Sequence, residues 1–206
     1  MSRTPTWFFF GDSLTLGVND DQMPGGWVSR LAVLGREVGL YGIPRATFYN
    51  LGARRQGTAD VARRWRTEME ARRIPGMEPR LVFCVGVVDM AAPGGGTPRN
   101  QDAVLADLRP MLTAAQALAP TLVVSPPPVA DADTRQRLAA LNAGQKKICA
   151  DLGLPFAEAY SALAADKTYL QDLSDGLHPG PQGCALMAKT LLAQPCVRRF
   201  FSLSGA

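Results

Sequence analysis

The sequence predicts an α/β fold in which a mostly parallel sheet of about five strands is covered by helices on both faces. Three observations predict it. Short β-like runs alternate with longer helical stretches; the first run, Trp7 to Phe10, is apolar at every position, as a buried strand is; and no linker, repeat or low-complexity block interrupts the series. The expectation is therefore one domain over residues 1–206.

Each element has its own signal. Trp7-Phe8-Phe9-Phe10 is ended by Gly11, and Gly26 to Val38 comes next as a helix with Trp27, Leu31 and Leu34 on one face. Ala46 to Asn50 reads as the second strand. Thr58 is placed as the cap of the next helix, whose Ala62, Trp65 and Met69 recur at spacings of three and four. Leu81 to Val85 is the third strand. A helix over about Gln101 to Leu118 turns Val104, Leu108, Leu112 and Ala115 inward, and Thr121 to Val124 is a strand closed by Pro126-Pro127-Pro128. A long helix from near Asp133 to Leu152, a short strand around Pro155-Phe156 and a helix from Pro181 to Leu192 complete the series.

Composition removes several function classes. With 206 residues, 47% hydrophobic and 19% charged, the chain can bury about 70% of its unfolded surface without a disulfide or metal staple. No apolar run approaches the ~18 residues of a membrane span. His178 is the single histidine, which excludes multi-histidine metal sites. Cys84, Cys149, Cys184 and Cys196 are widely spaced and read as free thiols. Arg3 and the run from Trp7 are too short for a signal peptide and have no small-residue cleavage site, so the expected location is cytoplasmic. Seven arginines fall between Arg54 and Arg73, within a net charge of +4. On a helix from Thr58, however, Arg64 precedes Glu68 by four residues, Arg66 precedes Glu70 by four, and Asp60 sits in the first turn. That pattern is a salt-bridged, solvated face, and no nucleic-acid partner is expected.

In parallel sheets the site lies beyond the carboxyl ends of the strands. Three blocks stand just past strand ends in this chain: Gly11-Asp12-Ser13-Leu14, then Asn50-Leu51-Gly52-Ala53-Arg54-Arg55-Gln56-Gly57, then Gly86-Val87-Val88-Asp89. A fourth, Asp175-Gly176-Leu177-His178-Pro179, precedes the last helix. A serine hydroxyl is a weak nucleophile at neutral pH and needs a base, itself oriented by a third group. Ser13 and His178 supply the first two. Asp175 stands three residues before His178, a spacing that on a helical turn sets the two side chains together. The surroundings of Ser13 are not Gly-x-Ser-x-Gly, because Thr15 stands where the second glycine would be.

The Gly-Asp-Ser-Leu block near the start and the Asp-x-x-His block near the end, in that order, resemble the SGNH or GDSL hydrolases. The resemblance spans nearly the whole chain. It implies a three-layer, flavodoxin-like fold, with Ser13 as nucleophile, His178 as base, Asp175 as its orienting acid, and an ester or thioester substrate cleaved without metal or organic cofactor. It also implies an oxyanion hole built from the serine N–H, a second-block N–H and an asparagine side chain in a Gly-x-Asn-Asp block. Two of these positions depart from the pattern. Val88, which has no donor, stands at the asparagine position, and Arg55 stands where many members have glycine, with Gly57 as the alternative if the loop holds an extra residue. Gly52 matches an earlier glycine of that block. Gly52, Arg55, Val88, Asp12 and Asp89 are therefore the candidate oxyanion-hole or substrate-binding positions, with Asn50 or Asn100 as candidate substitute donors.

The first reading is a serine esterase or lipase. The second is a non-catalytic binding protein that keeps the fold after losing the asparagine. A metal-dependent phosphohydrolase could use Asp12, Asp89 and Asp175 as hard-cation ligands, but would leave the Ser13 and His178 placement unexplained. Arg54 and Arg55 could attract anionic substrate groups, and Pro93 to Gly96 could form a rim over the pocket. Trp7, Trp27, Trp65 and Cys84 read as core; Pro126 to Pro128 reads as a pocket wall or a polyproline segment for a partner.

Overall fold

The computed structural model describes residues 4–42 and 46–203; Arg3 lies outside them. Five strands, β1 (Pro5–Gly11), β2 (Thr47–Gly52), β3 (Glu78–Cys84), β4 (Thr121–Val124) and β5 (Phe156–Ala157), form one parallel sheet in the order β2-β1-β3-β4-β5. The helices are α1 (Ser13–Leu16), α2 (Gly26–Glu37), α3 (Thr58–Ala71), α4 (Val87–Ala91), α5 (Gln101–Gln116), α6 (Ala132–Leu152), α7 (Tyr160–Ala165), α8 (Lys167–Gln171), α9 (Pro181–Leu192) and α10 (Pro195–Phe201).

The run Trp7 to Phe10 is apolar throughout because β1 lies inside the sheet and is covered on both faces. Trp7 and Phe9 point into a core with Trp27 and Leu31 of α2, Met187 and Leu191 of α9 and Phe201 of α10. Phe8 and Phe10 point into the opposite core with Trp65 of α3, Leu108 and Leu112 of α5 and Ile148 of α6. These are the two faces of a period-two strand, each sealed by its own helical layer. A smaller cluster of Leu14, Val87, Met90 and Leu141 anchors the two short helices that come after β1 and β3.

The structure corrects several expectations. Thr58 does not cap α3; Gly57 is the capping residue, its N–H donating to Asp60 Oδ2 at 3.0 Å, while the Thr58 hydroxyl is spent on Asp89. Arg64 does not pair with Glu68, which pairs instead with Arg72; Arg66 does pair with Glu70 at 2.9 Å. Pro126 to Pro128 are buried, which removes them as a docking segment for a partner. α1, α4, α7, α8 and α10 add to the predicted helices, and no described helix is long and apolar enough to cross a membrane. Trp7, Trp27 and Trp65 are core residues, and all four cysteines are free.

Candidate active site

The sheet register brings three loops out at one level, since Gly11 pairs with both Gly52 and Cys84. Ser13, Arg55 and Val88 lie within a few residues of these strand ends. Ser13 opens α1 because Asp12 caps it, accepting from Leu14 N–H at 2.9 Å. Gly11 is required there: a Cβ would stand 2.1 Å from Thr15 Oγ1, so any side chain would push α1 off the strand. Gly52 serves the same purpose from β2, where a Cβ would meet Leu16 N at 2.2 Å.

The long-range contact that the spacing alone could not supply is present. His178 Nε2 lies 2.7 Å from Ser13 Oγ, and His178 Nδ1 lies 2.7 Å from Asp175 Oδ2. The segment from Asp175 to His178 is a turn, not the helical turn anticipated. Asp175 Oδ1 accepts from Leu177 N–H at 2.9 Å and from His178 N–H at 2.7 Å, which folds the chain back and leaves Oδ2 for the ring. Partial burial pushes the Asp175 carboxyl up, but the bonds from the His178 and Leu177 N–H groups and from the imidazole outweigh it and hold it well below the usual carboxylate range. An ionised Asp175 fixes the tautomer with the proton on Nδ1, leaving Nε2 as an acceptor toward the serine hydroxyl. Ser13 and His178 are buried, only 4% and 7% exposed.

Two backbone donors near the strand ends are unengaged. Among the described residues, the N–H groups of Ser13 and Arg55 have no hydrogen-bond partner. Arg55 adopts φ 61°, the left-handed region where glycine is at ease. Gly57 is a poor alternative because its N–H is taken by Asp60, and the Gly52 N–H is taken by Asn50 Oδ1 at 3.0 Å. Asn50 is not free to replace the missing donor, and Asn100 lies exposed at the start of α5. Asn50 Nδ2 donates to the carbonyl of Thr15 at 2.8 Å, and Asn100 caps α5. Val88 and Arg55 line one cavity of about 280 Å³, and nothing on the Val88 side chain can donate into it.

A model of the GDSL-like lipase/acylhydrolase family matches residues 9–186, a span that holds Ser13, Asp175 and His178. The chain belongs to that family. Solved structures share the fold: a lipolytic G-D-S-L protein from Veillonella parvula superposes with a TM-score of 0.71 at 18% identity, covering 91% of this chain and 96% of its own. An acetyl xylan esterase variant from Geobacillus stearothermophilus gives 0.76 at 16% identity, covering 100% and 98%. The α/β hydrolase LAE5, from the metagenome of Lake Arreo, gives 0.74 at 15% identity over 98% of each chain. No curated protein matches the chain.

Around this GDSL-family site, Asp12 and Asp89 brace the loops. Asp89 is buried; its Oδ2 accepts from Thr58 N–H at 2.9 Å and Thr58 Oγ1 at 2.8 Å, and its Oδ1 from Arg99 Nη1 at 3.0 Å. Its oxygens are thus engaged with the protein. Asp89→Ala leaves the Thr58 N–H and hydroxyl without their acceptor and the half-buried Arg99 with Asp107 alone, and we expect a loss of about 2–3 kcal/mol in urea unfolding at unchanged m-value. No three His, Cys, Asp or Glu among the described residues cluster as metal ligands would; Asp12, Asp89 and Asp175 each serve a separate local purpose.

Arg64 is not singled out by the sequence pattern, yet it ties two site loops together. Its Nη2 donates to the Gly11 carbonyl at 3.1 Å, its Nε to Gln56 Oε1, and its guanidinium lies 5.9 Å from the Phe10 ring centroid. The Gly11 carbonyl also accepts from Ala53 N–H at 3.1 Å. The loop bearing Ser13 and the loop bearing Arg55 are therefore clamped to each other by a half-buried cation.

Asp12 carries a pH signature. Burial raises its carboxyl from 3.8 to about 6, against the lowering effect of the Leu14 and Thr15 N–H groups. The folded chain thus holds a proton that the unfolded chain has released, so stability falls as pH rises from 3.8 to about 6 and is level beyond. Asp12→Asn retains a capping side chain and cannot ionise. Urea unfolding between pH 4 and 7 should show wild type losing about 2 kcal/mol relative to that variant, at 1.36 kcal/mol per pKa unit.

Proposed function

We propose that the protein is a metal-independent serine esterase. Ser13 attacks the ester carbonyl, His178 Nε2 takes its proton and returns it to the leaving alcohol, and Asp175 holds the imidazole and stabilises its charged form. The acyl group rests on Ser13 Oγ until water, deprotonated by the same ring, releases it as the acid. The carbonyl oxygen, negative in the tetrahedral intermediates, is held by the N–H groups of Ser13 and Arg55.

The observation that carries this reading is the unbroken chain Asp175–His178–Ser13, with both links at 2.7 Å across 165 residues of sequence. The family match supports the reaction class, and the acetyl xylan esterase likeness supports short acyl groups as the first to try. A binding protein on this fold is favoured by Val88 alone. One missing donor costs about a hundred- to a thousandfold in turnover, which leaves room for a working enzyme. The test is hydrolysis of p-nitrophenyl acetate by wild type and Ser13→Ala. Turnover that disappears in the variant supports the reading; equal rates, or none in either protein, overturn it.

Arg64 acts here as a positioning residue, setting the distance between the two backbone donors. Arg64→Ala should lower kcat by about tenfold or more with KM changed little, since misplaced donors weaken the transition state rather than ground-state binding. Arg64→Lys, which can reach one acceptor but not both, should recover part of the loss.

A further inference from the structure

We propose that the cavity of about 280 Å³ lined by Arg55 and Val88, where the loops after β2 and β3 meet, selects esters that carry a negative charge, held by the Arg55 guanidinium. This rests on the esterase reading and names its substrate class. Every charged side chain of the lining except Arg55 has an ionic partner. Arg99 is bound to Asp89 at 3.0 Å and to Asp107 at 2.7 Å. Asp60 is bound to Arg63 and to the Gly57 N–H. Asp89 is closed off by Thr58 and Arg99. Arg55 has no ion pair or hydrogen bond from its side chain among the described residues, and its neighbour Arg54 adds a second exposed cation on the same loop.

The backbone points the same way. At φ 61° an arginine is strained where a glycine would be at ease, so the position keeps a side chain at a cost in stability. Its backbone N–H serves the reacting carbonyl whether the residue is arginine or glycine; the guanidinium is the only thing the arginine adds. Val88, on the wall of the same cavity, supplies an apolar surface that does not compete for an anion. A planar guanidinium with no partner is suited to carboxylate or phosphate oxygens, which it can hold through two parallel bonds.

The test compares charged and neutral esters of matched size in wild type, Arg55→Gly, Arg55→Lys and Arg55→Glu. One pair places the charge on the acyl group, mono-p-nitrophenyl succinate against p-nitrophenyl butyrate. The other places it on the leaving group, p-acetoxybenzoate against p-tolyl acetate. The quantity read is the ratio of kcat/KM for the charged ester to that for the neutral one, which is independent of any change in the backbone donor. We expect wild type to favour the charged member of at least one pair. That ratio should fall about five- to tenfold in Arg55→Gly, remain within about twofold in Arg55→Lys, invert in Arg55→Glu and decline with ionic strength. Which pair responds assigns the anion to the acyl or the leaving side. A ratio unchanged in both pairs on Arg55→Gly overturns the proposal while leaving the esterase reading intact, whereas turnover of the neutral esters by Ser13→Ala overturns the esterase reading itself.

Discussion

Replacing His178 by alanine should reduce ester turnover by about ten-thousandfold or more, and adding Ser13→Ala to it should cost almost nothing further. The ring is the single base available, because the chain contains no other histidine and Nε2 is the group 2.7 Å from the hydroxyl. Without it the serine must lose its proton to water, and the alcohol must leave without one. Groups that act as one unit lose their effect together, so single and double variants converge on the residual rate supplied by the backbone donors. Asp175→Asn tests the second link. An amide cannot stabilise the imidazolium and can favour the wrong tautomer, so a loss approaching that of His178→Ala is expected, in kcat more than in KM. Near-ultraviolet circular dichroism of each variant separates a lost base from a lost fold.

Restoring the donor at position 88 should have the largest gain of any single change. Val88 is the second residue of α4, two positions after Gly86 and beside Asp89, and its side chain lines the same cavity as Arg55. Val88→Asn puts an amide N–H₂ where the family pattern has one. If it reaches the oxyanion as it forms, it contributes the roughly 3–4 kcal/mol that such donors provide, and kcat rises by about a hundredfold or more while KM moves little. Val88→Leu, which changes bulk without adding a donor, should bring no gain. An asparagine variant no faster than wild type would mean that residue 88 does not face the reacting carbonyl.

Much of this molecule is legible in its sequence, and the remainder is hidden for physical reasons. β1 announces itself because both its faces are buried, and α9 starts at Pro181 and ends at Leu192 as its pattern predicts, Pro181 being at ease in the first turn of a helix. Ser13, Asp175 and His178 could be picked out because their types and order are distinctive, but the Ser13–His178 distance depends on folding of the whole chain between them. The Asp175–His178 contact has the right spacing for a reason the spacing did not reveal: an Asp side chain capturing two N–H groups of its own turn, not a helical rise. Short helices such as α1 and α4 are held by caps and by a shared apolar cluster, too local for a periodicity to register. α10 does carry signals, Pro195 at its start and Val197, Phe200 and Phe201 at helical spacing, within a tail that β1 buries. Arg64 was hidden by a plausible local alternative. Its i,i+4 acid lies in reach of Arg72 instead, while the Gly11 carbonyl that it binds is 53 residues away in sequence.

In the proposed mechanism one serine hydroxyl, activated by one imidazole, forms a covalent bond to the acyl group. A fluorophosphonate reports on that step directly, because phosphorus is captured by the activated serine and is not released as an acyl group is. Peptide mass spectrometry after treatment should find a single adduct on Ser13, absent in the Ser13→Ala protein and slowed by orders of magnitude in His178→Ala. An adduct on another residue, or labelling of Ser13 at the same rate without the histidine, would contradict the mechanism.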